Sequence, residues 1–150
     1  MNKGKSITGD LQLCEAIISK CPVCRLGMVE GDRPYVIPAN FGYRNKTVYI
    51  HTGLSGRKLD VIARNPNVCV EFDTAHKLVE GAVSCKWTMH GESVVAEGSA
   101  ELVKTAEEKR QALKIIMIHY GGEGNDIPDS ALDAVAILRI RLTRMTAGRV

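Results

Sequence analysis

The sequence predicts a mainly β (α+β) chain, an antiparallel barrel with helices packed outside it. Three observations carry this. Strand-like segments outnumber helical ones by about two to one, the strands cluster instead of alternating with helices, and most connections are short. Regular strand–helix alternation would instead indicate a doubly wound parallel sheet. The 150 residues suggest a single domain, residues 1–150.

Each element has a local reason. Residues 11–20 read as a short amphipathic helix with Leu11, Cys14 and Ile18 on one face, Asp10 or Thr8 as N-cap, and Pro22 as its stop. Residues 23–30 read as a strand, followed by a Gly31-Asp32 turn. Strands are expected over 35–37 and 47–52, with Arg44-Asn45-Lys46 as the polar turn of a hairpin. Residues 55–64 read as a helix with Leu59 and Ile62 inward, ended by Asn65-Pro66-Asn67 because the residue before proline avoids the helical region. A strand follows over 68–73. Residues 78–103 read as two strands, the second long and bulged at Gly98.

The clearest helix spans 105–119. Thr105 and Glu108 form a capping box, Leu113, Ile116 and Met117 an apolar stripe, and Gly121-Gly122 ends it. Residues 121–129 read as a mobile loop. Residues 136–142 alternate as a strand, with Leu138, Ile140 and Leu142 on one face and Arg139 and Arg141 on the other.

Composition excludes several classes. The net charge of +3 is weak and its basic residues are scattered, so no nucleic-acid stripe is expected. No apolar run is long enough to span a membrane, and the polar residues 1–10 show no export signal, which makes the cytoplasm the expected compartment. Five cysteines at irregular spacing argue against a disulfide framework. Cys21-Pro-Val-Cys24 is one pair with no second pair, too few ligands for structural zinc, and it opens a strand where a redox dithiol would open a helix. These two are expected to be small, semi-buried residues, and no metal site is expected.

The informative stretch is residues 51–58, His-Thr-Gly-Leu-Ser-Gly-Arg-Lys, where a strand end meets a helix start. A helix N-terminus offers unpaired amides and the positive end of a dipole. Arg57 and Lys58 in the first turn are locally unfavourable, by up to about 1 kcal/mol, and a bound phosphate would reverse that sign. Thr52 and Ser55 add hydroxyls, and Gly53 and Gly56 allow close backbone approach. The residues themselves leave two readings open, a phosphate-binding turn or a solvated turn with two surface cations. No P-loop or Rossmann glycine pattern occurs. His51 shares a strand face with Tyr49 and Thr47, and is either a structural histidine or a site residue. Trp87, the only tryptophan, is either a core or interface aromatic or a wall beside a flat ring. His76, His90 and His119 are expected at the surface.

Taken in order, residues 33–43 (RPYVIPANFGY), 48–52 (VYIHT), 56–60 (GRKLD) and 65–72 (NPNVCVEF) resemble the pyridoxamine 5'-phosphate oxidase-like flavoproteins. More narrowly they resemble the branch of the nitroimidazole-resistance (Nim) proteins. The resemblance continues through Trp87-Thr-Met, Glu92-Ser-Val-Val, the 107–113 helix and the last strand, nearly the whole chain from Leu13.

It implies a homodimer of split β-barrels with two FMN sites in the interface. Thr52, Gly56, Arg57 and Lys58 would hold the FMN phosphate. The backbone of Val36, Ile37, Pro38 and Asn40 and the strand Tyr49, Ile50, His51, Thr52 would line the ring. Trp87 and Ser93 would lie near the flavin, supplied by the partner subunit. His51 matches a histidine beside the flavin near the substrate and is the one candidate catalytic residue. The implied activity is FMN-dependent reduction of a small organic acceptor such as a nitro-aromatic, with NAD(P)H or a reductase as electron donor. A non-catalytic flavin or haem carrier, with His51 as an axial ligand, is the alternative; a cofactor-less interaction module is a third. At His90 the relatives' pattern has tyrosine. The basic cluster with which true oxidases hold their substrate phosphate is not recognisable near the C-terminus, which argues against vitamin B6 oxidation.

Overall fold

The structure, a computed structural model, describes residues 7–149. Of the polar start expected over residues 1–10, residues 1–6 lie outside the described residues. In chain order the elements are β1 (Ile7–Thr8), α1 (Leu11–Ile18), β2 (Cys24–Glu30), β3 (Arg33–Ala39), β4 (Gly42–Arg44), β5 (Thr47–Thr52) and α2 (Arg57–Arg64). There follow β6 (Asn67–Asp73), β7 (Lys77–Val79), β8 (Thr88–His90), β9 (Glu92–Leu102), α3 (Ala106–His119), α4 (Asp129–Asp133) and β10 (Ala136–Arg149).

Eight strands make one antiparallel sheet in the order β3-β2-β6-β9-β10-β5-β4, with β1 added to the end of β10. Its two edges, β3 and β4, are consecutive in the chain and joined only through Asn40 and Phe41. Both edges turn side chains, Tyr35, Ile37 and Ala39 from one and Tyr43 from the other, onto the same core. The sheet is therefore curled into a barrel that is split between them. Pro34 and Pro38 fit because β3 is an edge strand with one side of its backbone unpaired. The core is alternate-residue packing from β2, β5, β6, β9 and β10, centred on Leu26, Val48, Val70, Phe72, Val94, Leu138 and Ile140, all fully buried.

Several expectations change in detail. α1 is capped by Asp10, whose Oδ1 accepts from the Leu13 amide at 2.9 Å, and it buries Ile17 with Cys14 and Ile18 while Leu11 stays exposed. The 44–46 turn does make a hairpin, but β4 is its first arm and β3 pairs with β2 instead. Asn45 and Lys46 both have positive φ, 49° and 57°, the pattern of a two-residue hairpin turn. Residues 78–103 hold three strands, since β7 and β8 form a separate hairpin around a 3-10 turn at Ser84–Lys86.

The bulge expected at Gly98 sits one strand over. Leu142 pairs with Gly98 and Arg144 with Glu97, so the extra residue is Thr143 of β10. There β10 ends its pairing with β5 and, beyond the bulge, runs on to meet β1. α3 keeps its capping box, with the Glu108 amide donating to Thr105 Oγ1 at 3.2 Å and the Thr105 hydroxyl donating to Glu108 Oε2 at 2.9 Å. Its buried side is Ala112 and Ile116 with Leu113 beside them, while Met117 is exposed. The 121–129 segment, expected to be a mobile loop, is tied down at its end, where Arg110 binds the Ile127 carbonyl and Asp129.

Candidate functional site

Where the barrel is split, a cleft of about 500 Å³ opens between β3 and β5. Tyr35, Ile37, Pro38, Ala39 and Asn40 form one wall, Ile50 and His51 the other, and Val23 and Lys58 complete the lining. The chain that leaves β5 makes the Gly53–Gly56 turn and enters α2, so strand end and helix start face the same cleft.

α2 begins at Gly56 with φ +136°, a conformation that side chains rarely adopt, and no side chain caps it. The Leu59 and Asp60 amides bond the Gly56 carbonyl at 3.0 and 3.3 Å, which leaves the Arg57 and Lys58 amides for another acceptor. Lys58 Nζ donates to Thr52 Oγ1 at 2.6 Å. Thr52 is the one buried polar residue among the described residues, and its hydroxyl takes this partner inside the strand end. Arg57 behaves differently. Its Nε and Nη2 both donate to Glu30 Oε2, at 3.0 and 2.6 Å, and its guanidinium lies 4.1 Å from the Tyr35 ring centre. Donating to Glu30 holds Arg57 firmly in its charged form.

A clamp fixes the rear of the cleft. The Tyr120 hydroxyl donates to the Pro22 carbonyl at 2.7 Å and accepts from the Phe41 amide at 3.1 Å. His119, expected at the surface, is half-buried: its Nε2 donates to the Cys21 carbonyl at 2.8 Å and its ring packs against Phe41 at a 43° tilt with centroids 4.3 Å apart. The end of α3 thereby pins both Pro22, next to Val23, and Phe41, next to Asn40.

The structure brings together Ile37, Pro38, Asn40, Ile50, His51 and Lys58 in the cleft, with Thr52 and Gly56 adjoining. The side chains of Val36, Tyr49, Trp87 and Ser93 do not line it within one chain, while Arg57 reaches it through Tyr35, one of its walls. Val36 points to the opposite sheet face and is 61% exposed. The Tyr49 side chain packs under α3 with Val103, Ala112 and Ile137. Ser93 pairs with Gly148 and Asp73 at the start of β9, and Trp87 sits exposed on the β7–β8 hairpin, which excludes a core role in the chain alone. Glu30, Tyr35, Val23 and Tyr120 went unread in the sequence. Alternation could have placed Tyr35 with Ile37, but no local signal joins Glu30 to Arg57 or Tyr120 to Phe41.

A second groove of about 540 Å³ crosses the outer sheet face over Gly27, Val36 and Cys69. It holds no cation, so it lacks the features of an anion site. Cys21 and Cys24 are buried, and burial pushes their thiols up to about 11 and about 12, so both stay protonated. No group of three metal-ligating side chains occurs among the described residues. No helix among them is long and apolar enough to cross a membrane.

Residues 10–149 match the family described as pyridoxamine 5'-phosphate oxidase. The chain belongs to that family. Among solved structures it is similar to a candidate 5-nitroimidazole antibiotic resistance protein from Bacteroides thetaiotaomicron, with 37% identity, a TM-score of 0.87, and 97% of this chain and 87% of that one covered. The flavocytochrome Anf3 from Azotobacter vinelandii shares the fold at 18% identity and a TM-score of 0.78, over 95% of this chain and 68% of that one. A FAD and haem binding protein from Mycobacterium smegmatis shares it at 16% identity and a TM-score of 0.83, over 95% and 72%. No curated protein matches by sequence. The fold of the pyridoxamine 5'-phosphate oxidase family, split barrel included, is thus the fold seen here, and the resemblance to the Nim branch agrees with the 37% identity to the nitroimidazole-resistance structure.

Proposed function

We propose that the protein binds FMN in the split-barrel cleft and uses it to reduce a small organic acceptor, with a nitro-aromatic compound as the acceptor class. The observation that carries this is the cleft's polarity. The Lys58 side chain, from a helix start that no side chain caps, lines the same slot as the apolar Ile37, Pro38 and Ile50 of two strands. These residues fit a flat ring with a phosphate tail. Lys58, Arg57, Thr52 and the Gly56 turn would hold the phosphate. The backbone of Ile37, Pro38 and Asn40 would border the ring, and His51, exposed at the cleft edge, would face the acceptor.

Bound FMN would supply the electron or hydride transfer. This chain's own residues bind, orient and shape. His51 is placed to donate a hydrogen bond to an acceptor, and the β3 wall limits access to one side. The electron donor in this reading is NAD(P)H or a reductase. The protein is taken to act as a homodimer in the cytoplasm, with Trp87 and Ser93 of a second copy closing the open side. Exposed Leu78, Val83, Trp87 and Met89 on the β7–β8 hairpin support a covering partner there. A second reading, a flavin or haem carrier, draws support from the printed descriptions of the flavocytochrome and the FAD and haem binding protein.

An absorbance spectrum of purified protein before and after FMN addition tests the proposal. Flavin bands that bleach with reductant and return with a nitro-aromatic support the reductase, a Soret band supports the carrier, and neither chromophore with no FMN uptake overturns both. Lys58→Ala should weaken FMN about ten- to a hundredfold while leaving riboflavin, which lacks the phosphate, little changed. His51→Ala should keep FMN bound and slow reoxidation by the acceptor, which stopped-flow absorbance reads.

A further inference from the structure

We infer that Glu30 is an internal counter-ion that holds Arg57 until a phosphate takes its place, so that anion exchange at Arg57 sets the preference for phosphorylated flavin. This rests on the flavin reading above and adds a residue that competes with the ligand.

Two adjacent cations at the start of α2 have opposite surroundings. Lys58 meets only a neutral hydroxyl, Thr52, and lines the cleft. Arg57 has its Nε and Nη2 edge given to a single carboxylate oxygen of Glu30 and its flat face against Tyr35, itself a wall of the cleft. Glu30 comes from the end of β2, just before the Gly31-Asp32 turn, and so reaches the site from outside the 51–58 stretch.

A phosphate drawn to Lys58 and the helix start would approach the same guanidinium and meet the Glu30 carboxylate as a like charge. The pair is solvent-accessible, 55% for the Arg57 side chain and 34% for Glu30, so parting it exposes little that water does not already reach. The guanidinium can turn its fork from carboxylate to phosphate without leaving Tyr35, because stacking and in-plane hydrogen bonding use different parts of the group. Without a ligand the start of α2 is thus neutral at Arg57, and among the described residues no carboxylate pairs with its neighbour Lys58. The bound state would use both.

The test is titration of FMN and of riboflavin into the full chain and into Glu30→Gln, which keeps the side chain's shape and removes its charge, followed by flavin fluorescence at fixed ionic strength. FMN affinity should rise about two- to fivefold in Glu30→Gln, the range expected for an exposed charge pair. Riboflavin affinity should stay the same, and Arg57→Ala added to Glu30→Gln should abolish the gain. Unchanged or weaker FMN binding in Glu30→Gln, or an equal gain for riboflavin, overturns the role of Glu30 and leaves the flavin reading standing. Uptake of neither flavin by either protein overturns both.

Discussion

Tyr120 shows how a residue far along the chain sets a site it does not enter. One hydroxyl joins the Pro22 carbonyl to the Phe41 amide, and so fixes the two segments that end in Val23 and Asn40. Tyr120→Phe keeps the ring and leaves those backbone groups unpaired, which costs about 1–3 kcal/mol when they stay dry. Denaturant unfolding should register that loss, and FMN affinity should fall with it, since Asn40 loses its anchor. Phe41 is fully buried, which is why the loss cannot be made up fully by water. At this scale the sequence shows one side of each interaction. Arg57, Lys58 and Thr52 stand within one short stretch, which the sequence offers as either an anion site or a solvated turn. Glu30 and Tyr120 are 27 and 79 positions from their partners, and nothing local marks them. His119 was assigned to the surface for the same reason: its partners, Cys21 and Phe41, are remote in sequence.

Among the elements, those with strong local grammar were legible and those defined by pairing were not. The capping box, the double-glycine stop and the 136–142 alternation all have counterparts in the structure. Gly121 adopts φ +86° and the Gly122 amide returns to the Met117 carbonyl at 2.9 Å. The second half of β10 was missed because residues 143–149 lose apolar alternation after the bulge, and β4 itself was missed because three residues carry too little pattern. Gly98 faces that bulge so closely that a Cβ there would lie 2.4 Å from the Arg141 carbonyl oxygen. Gly98→Ala should therefore push β9 and β10 apart and destabilise the fold by about 1–3 kcal/mol, with hydrogen exchange rising first at residues 96–99 and 141–145.

For the whole molecule, burial and charge make two further predictions. Cys14, Cys21 and Cys24 are buried while Cys69 and Cys85 are exposed, so a thiol reagent should label two cysteines in the native chain and five after unfolding. Glu92 ties α1 to the end of β10, accepting from Lys20 at 3.1 Å and Arg149 at 3.0 Å; chiefly the Lys20 hydrogen bond holds its carboxyl below the ordinary 4.5. A carboxyl depressed in the folded state adds stability that is full above its unfolded value and lost as pH falls through the folded one. Glu92→Gln should flatten the fall in stability below pH 4.5, by a small amount because the pair is exposed to solvent. The strand order carries a consequence for how the chain comes into being. β10 lies between β9 and β5, yet it is synthesised after both. Until it leaves the ribosome, β9 and β5 each present an open edge with nothing to pair with. The barrel cannot close before then. The nascent protein must keep two sticky edges apart until β10 is released, and the steps of greatest risk for misassembly fall late in the making of the barrel.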